Sequence, residues 1–178
     1  MNKKTLIIII SIAVAVALAI TGVVVWVTKS LIGSDGNKGT NSGNNGGSKG
    51  EMTISVDNVT ASSGKTVKVP VRMSGNKGFM AVMLQCEYDK EVLEYVTYDK
   101  GDFLTDYEVN ASNGVVKFLS LEDGDVDDDG VMVYLEFKVK GKSGASSDIK
   151  LVMDEGSICN YDEEILEVKT VNGKVTVK

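Results

Sequence analysis

No histidine occurs anywhere in this chain of 178 residues, and that one absence removes Ser-His-Asp and Cys-His catalysis together with the usual zinc sites. Cysteine is nearly as scarce: Cys86 and Cys159 are the only two, and their spacing resembles no metal site. A bridge between them is open to an exported chain. Cys86, however, takes an inward position in a strand, where a free thiol behaves as a small hydrophobe, so two buried thiols are expected. The single tryptophan, Trp26, lies in an N-terminal apolar run and the six tyrosines are scattered, so no aromatic platform for stacking sugars is evident. Basic residues are also outnumbered. From residue 52 onward 14 Lys plus Arg face 23 Asp plus Glu, a net charge of −9 against −6 for the whole chain, which makes nucleic acid a poor partner.

The residues that are present divide the chain into parts. Residues 6–27 form an apolar run broken only by Ser11, Thr21 and Gly22, with Lys3 and Lys4 before it and Lys29 after it. Such a run can cross a hydrocarbon core of roughly 30 Å as a helix. A cleaved secretory signal is the rival, helped by the small-x-small site Ala17-Leu18-Ala19, but an apolar region of about 7 to 15 residues is usual there and this one is longer. The length favours an uncleaved single-pass anchor with the lysines inside, and either form exports the rest of the chain. Residues 33–50, GSDGNKGTNSGNNGGSKG, hold nothing that could build a core and read as a flexible tether of about 24 Å end to end. The expected plan is a cytoplasmic N-terminus at 1–5, an anchor or signal segment at 6–28, a linker at 29–51 and one folded domain at 52–178.

Within that domain the pattern alternates with a period of two. Val82, Leu84, Cys86 and Tyr88 fall on one face of a strand and Ala81, Met83, Gln85 and Glu87 on the other, as in a half-buried strand. The second face is odd, because it would leave Ala81 and Met83 in water. Upstream, Val67, Val69 and Val71 alternate with Lys68, Pro70 and Arg72, and the proline suits a sheet edge. Further alternating segments are read at residues 53–56, 93–98, 115–121, 131–140, 149–153 and 175–178. Turns separate them, including Ser112-Asn113-Gly114 and Asn172-Gly173, the latter read as a hairpin. No helical period of useful length appears. Many short strands with glycine turns predict a two-sheet β-sandwich or jelly roll.

Asp125-Val126-Asp127-Asp128-Asp129-Gly130 followed by Glu136 fits D-x-D-x-D-G-x5-E, the calcium loop of an EF-hand. An EF-hand needs a helix on each side, whereas both flanks here alternate like strands and Glu136 lies inside the second of them. The loop therefore reads as a solvated acidic hairpin, at most a weak calcium binder at residues 125–129, and no metal ligands are assigned. Glu122, Asp123 and Asp125 share one loop without a hydrophobic pocket to separate their pKa values, so they make a poor acid–base pair.

Several segments together resemble a known module. Gly64-Lys65-Thr66-Val67-Lys68-Val69-Pro70-Val71, then Gly78, then Glu87-Tyr88-Asp89-Lys90-Glu91-Val92-Leu93-Glu94 is similar to the opening of cohesin domains. Phe118-Leu119-Ser120-Leu121-Glu122-Asp123, Asp129-Gly130 and Glu155-Gly156-Ser157-Ile158 fit the second half. The resemblance covers residues 52–178, with order and spacing carrying its specificity. It implies an all-β, nine-stranded jelly-roll sandwich that binds dockerins, the calcium-dependent helical tags of cellulosomal enzymes, and that is neither an enzyme nor in need of a cofactor of its own. The calcium would sit on the partner. In the family the dockerin helix lies across the third, fifth, sixth and eighth strands. Carried over, that surface comprises Ala81, Met83, Gln85, Asn110, Leu119, Leu121, Glu122 and Asp123, which would explain the odd outer face. A monomeric cell-surface receptor is the expectation. The alternatives are a carbohydrate-binding module, which needs an exposed aromatic row, and a calcium-binding surface adhesin using residues 125–129.

Overall fold

The computed structural model describes residues 50–178. The expected anchor at 6–28 and nearly all of the expected linker at 29–51 lie outside the described residues. The described part is all β. Its first strands are β1 (Thr53–Val56), β2 (Val59–Ala61), β3 (Thr66–Ser74), β4 (Phe79–Glu87), β5 (Leu93–Lys100) and β6 (Tyr107–Ser112). They are followed by β7 (Val115–Val126), β8 (Gly130–Val139), β9 (Ser146–Val152), β10 (Ile158–Cys159), β11 (Lys169–Val171) and β12 (Gly173–Val177). Twelve strands therefore stand where nine are expected. The three extra ones, β2, β10 and β11, are two or three residues long, too short for any alternating pattern to register.

One sheet runs β11, β1, β3, β8, β5 and the other β2, β12, β9, β4, β7, β6, with β10 added to the edge of β4. Their inner faces pack Ile54, Val69, Val71, Phe137 and Leu135 against Leu84, Cys86, Phe118, Ile149 and Val175, all nearly inaccessible. This is the clean in/out division of a two-sheet sandwich. Tyr88 and Tyr95 seat their rings edge-on against Phe137 at centroid distances of 5.0 and 5.9 Å, a favoured aromatic geometry.

Three local signals meet different fates. Asn113 and Gly114 carry φ of 49° and 82° in a two-residue loop between the paired Ser112 and Val115, the positive-φ turn that asparagine and glycine favour in hairpins. The Asn172-Gly173 pair, by contrast, makes no hairpin: β11 pairs with β1 in one sheet and β12 with β2 and β9 in the other. The chain crosses between sheets there, with Asn172 Oδ1 accepting from Leu151 N at 2.9 Å. Glycine is required because a Cβ at 173 would stand 2.6 Å from Val56 O.

Pro70 also departs from expectation, since β3 lies inside its sheet between β1 and β8. β1 pairs only with residues 71–74, and just past that ladder Pro70 O accepts from Asp57 N at 3.1 Å. The N and C=O of one residue in an antiparallel strand point the same way. The missing donor of Pro70 thus falls on the side where the ladder has already ended.

Candidate docking face

The register of the second sheet arranges its outer face in rows. Ala81 stands between Cys159 and Leu121; Met83 lies beside Leu119, which lies beside Glu108; and Val152, Gln85, Lys117 and Asn110 make a row across four strands. A last row holds Lys150, Glu87, Val115 and Ser112. With strands about 4.8 Å apart and same-face residues about 6.8 Å apart along each strand, the four strands offer a field of roughly 14 by 20 Å. Its centre is apolar, formed by the half-buried Met83, Leu119, Leu121 and Val152. The strand order β9, β4, β7, β6 is the expected eighth, third, sixth and fifth.

Six of the eight expected contact residues stand accessible on this face: Met83, Gln85, Asn110, Leu119, Leu121 and Asp123. The other two need correction. Ala81 is on the face, in the row between Cys159 and Leu121, but is only 2 % exposed, so it forms the floor and leaves a partner almost no surface to touch. Glu122 is on the wrong side altogether. The alternation of β7 runs on through Asp125, placing Val116, Phe118, Ser120 and Glu122 inward, and Glu122 is 7 % exposed.

Burial of a carboxylate demands partners, and Glu122 has four. Its Oε1 accepts from Thr105 N at 3.1 Å, Asp106 N at 3.3 Å and Ser120 Oγ at 2.9 Å, and its Oε2 from Thr105 Oγ1 at 2.6 Å. Burial pushes the carboxyl up, but the bonds from Thr105, Ser120 and Asp106 together outweigh it and hold Glu122 below the usual carboxylate range.

Residues overlooked in the sequence also belong to the face. Lys117 and Val115 follow from the parity of β7 and were legible; Glu108 and Val152 become neighbours only through strand pairing. Ile165, 61 % exposed, bridges Cys159 and so extends the row of Ala81 and Leu121 by one position. No strand pattern surrounds it. The face holds no aromatic row.

The acidic loop lies at the Leu121 end. It is flanked by the strands β7 and β8, not helices, and Glu136 faces Lys68 at 3.2 Å on the other sheet, so it is no EF-hand. What organises it is an amide. Asn76, wholly buried, donates from Nδ2 to Val126 O and Asp128 O, both at 2.9 Å, accepts at Oδ1 from Gly78 N, and donates its own N–H to Asp129 Oδ1. Asp125 Oδ1 accepts from Tyr161 N at 2.7 Å, tying the end of β7 to the turn after β10. Among the described residues no group of three or more His, Cys, Asp or Glu could hold a metal ion.

Both cysteines are free. Cys86 is inside the core, where burial pushes its thiol up to about 12, whereas Cys159 is only half-buried beside Ala81.

The described residues thus form a mostly antiparallel two-sheet sandwich that presents one flat, apolar-centred sheet face. The family model of the cohesin domain matches residues 52–177; the chain belongs to the cohesin family. It is 31 % identical over 135 residues to Cellulose-binding protein A of Clostridium cellulovorans, covering 71 % of this chain. It is 32 % identical over 136 residues to Cellulosomal-scaffolding protein A of Acetivibrio thermocellus, covering 67 %. The chain spans about 7 % of the length of these two curated relatives. Among solved structures, the sixth cohesin of scaffoldin B from Acetivibrio cellulolyticus, in complex with a dockerin, superposes with a TM-score of 0.68 at 26 % identity, covering 72 % of this chain and 100 % of that one. The non-cellulosomal cohesin of the archaeon Archaeoglobus fulgidus shares the fold, with a TM-score of 0.66 at 21 % identity over 72 % of this chain and 92 % of that one.

Proposed function

We propose that this chain is a cell-surface cohesin that captures dockerin-bearing proteins non-covalently, in the manner of cellulosome assembly for polysaccharide degradation. The observation that carries this reading is the field of Met83, Leu119, Leu121 and Val152 on a flat four-strand face. An apolar centre flanked by acidic residues such as Glu108 and Asp123 suits a helix with an apolar stripe and basic flanks, the charges chiefly speeding and orienting encounter. Support comes from family membership and from the similar cohesin whose structure includes a dockerin.

No cofactor belongs to the module in this reading; calcium resides on the dockerin. The loop at 125–129 binds calcium at most weakly, since Asn76 already engages two of its carbonyls and one of its carboxylates. The apolar run at 6–27 serves as a single-pass membrane anchor, holding one monomeric module outside the cell on its tether. The test is a pull-down of secreted proteins on the immobilised chain. Recovery of dockerin-bearing proteins, lost again when calcium is chelated, is the expected outcome; retention on insoluble cellulose without any dockerin recovered would favour a carbohydrate-binding module instead.

A further inference from the structure

Strand β6 carries two residues of the docking face, Glu108 beside Leu119 and Asn110 beside Lys117, yet it is held from one side only. It is an edge strand, and only Tyr107 and Val109 point partly into the core while the other four residues are exposed. Edge strands with few core contacts have weakly specified register, and a one-residue slip would turn every side chain to the opposite face. The approach to β6 is irregular as well, residues 101–106 forming no strand.

The four hydrogen bonds of Glu122 act at this weak point. Its carboxylate grips Thr105 and Asp106, the two residues that lead into β6, from the inner side of the sheet. The same junction is held at Asp106 O, which accepts from Leu121 N at 3.2 Å and lies 3.0 Å from Ser120 Oγ, whose single proton it shares with Glu122 Oε1. Ser120, fully buried, joins the two sets because its hydroxyl touches both Glu122 Oε1 and Asp106 O.

We infer that Glu122 is a positioning residue for the docking face: it sets the register of β6 on β7, and so the places of Glu108 and Asn110, without touching the partner. The inference rests on the docking function proposed above. It departs from what resemblance alone implies, a carboxylate offered to the dockerin. The two roles separate chemically. A glutamine at 122 can keep its Oε1 as acceptor for Thr105 N, Asp106 N and Ser120 Oγ, and can donate from Nε2 to Thr105 Oγ1, because a hydroxyl both donates and accepts. All four contacts survive and only the charge is lost.

The experiment measures binding of a purified, calcium-loaded dockerin module to the full chain and to Glu122→Gln, Glu122→Ala and Ser120→Ala, alongside hydrogen exchange of the β6 amides. Glu122→Gln should bind within about threefold of the unaltered chain with unchanged exchange. Glu122→Ala should bind at least tenfold more weakly, with faster exchange at residues 107–112, and Ser120→Ala should move both readouts the same way by less. If Glu122→Ala does not fold, the glutamine and serine variants decide the matter, since no partner can reach Ser120. Loss of binding in Glu122→Gln equal to that in Glu122→Ala, with β6 exchange unchanged, would overturn the inference and leave the docking function standing. Failure of the unaltered chain to bind any dockerin tested would remove that function and the inference together.

Discussion

Replacing Asn76 with alanine tests how the end of the docking face is held. The substitution deletes both Nδ2 donors, to Val126 O and Asp128 O, and the Oδ1 that accepts from Gly78 N. Gly78 is buried while Val126 and Asp128 reach solvent, so the amide suffers most. An unsatisfied buried group costs about 1–3 kcal/mol, and a carbonyl that regains water costs about 1 kcal/mol or less. The expected loss is about 3 kcal/mol. For a domain of this size each kcal/mol corresponds to roughly 3–4 °C, giving a fall of about 10 °C in melting temperature. Because Phe79 of β4 pairs with Val126 of β7 beside this amide, the strands bearing Met83 and Leu121 should fray from that end. Thermal and denaturant unfolding supply the number, and amide exchange at residues 79–81 and 121–126 supplies the location. Asn76→Asp sharpens the test by replacing a donor with a carboxylate that faces the same two carbonyls, and should be worse than alanine. A melting temperature within about 2 °C of the unaltered protein for Asn76→Ala would refute the claim that this amide organises the acidic loop.

Met83→Asp and Leu119→Asp alter only the outer face, so unfolding midpoints should change little while dockerin affinity falls at least a hundredfold, about 2.7 kcal/mol by the usual conversion; calorimetry on the folded variants checks this. A thiol reagent at pH 8 should label Cys159 slowly and Cys86 only after unfolding, because the Cys86 thiol is buried and pushed up to about 12; rapid labelling of both in the native state would contradict the core placement. Glu122 titrates below its usual 4.5 in the folded chain, so the stability it confers is present above that value and lost as pH falls through the folded one. The denaturant midpoint of Glu122→Gln should therefore lack part of the acid-side decline of the unaltered protein.

Much of the fold was readable along the chain. β1 occupies residues 53–56 as its alternation indicates, the Asn113-Gly114 turn is where its two residues demand it, and Leu119 and Leu121 stand outward by simple parity. Glu122 shows where such reading stops. A carboxylate at an inward position breaks the hydrophobic alternation, so the strand reads as ending at Leu121 when it continues to Val126. Its burial is tolerable only because Thr105 and Asp106, seventeen and sixteen residues away, supply hydrogen bonds that no local pattern announces. Ala81 makes the same point with less chemistry: its side is legible, whereas its enclosure needs Cys159 on β10.

The sequence by itself determined the class of fold, the acidic character of the domain, the absence of histidine chemistry and which side chains of β4 and β7 share a face, because period and composition are local properties of the chain. Tertiary structure alone decided which strands lie side by side, that Asn172 crosses between sheets, that an asparagine organises the acidic loop, and that Glu122 is buried beneath the sheet with Thr105, Asp106 and Ser120 as its partners. Each of those depends on hydrogen bonds between residues distant in sequence, and a buried polar group is settled only by what the fold brings within reach of it.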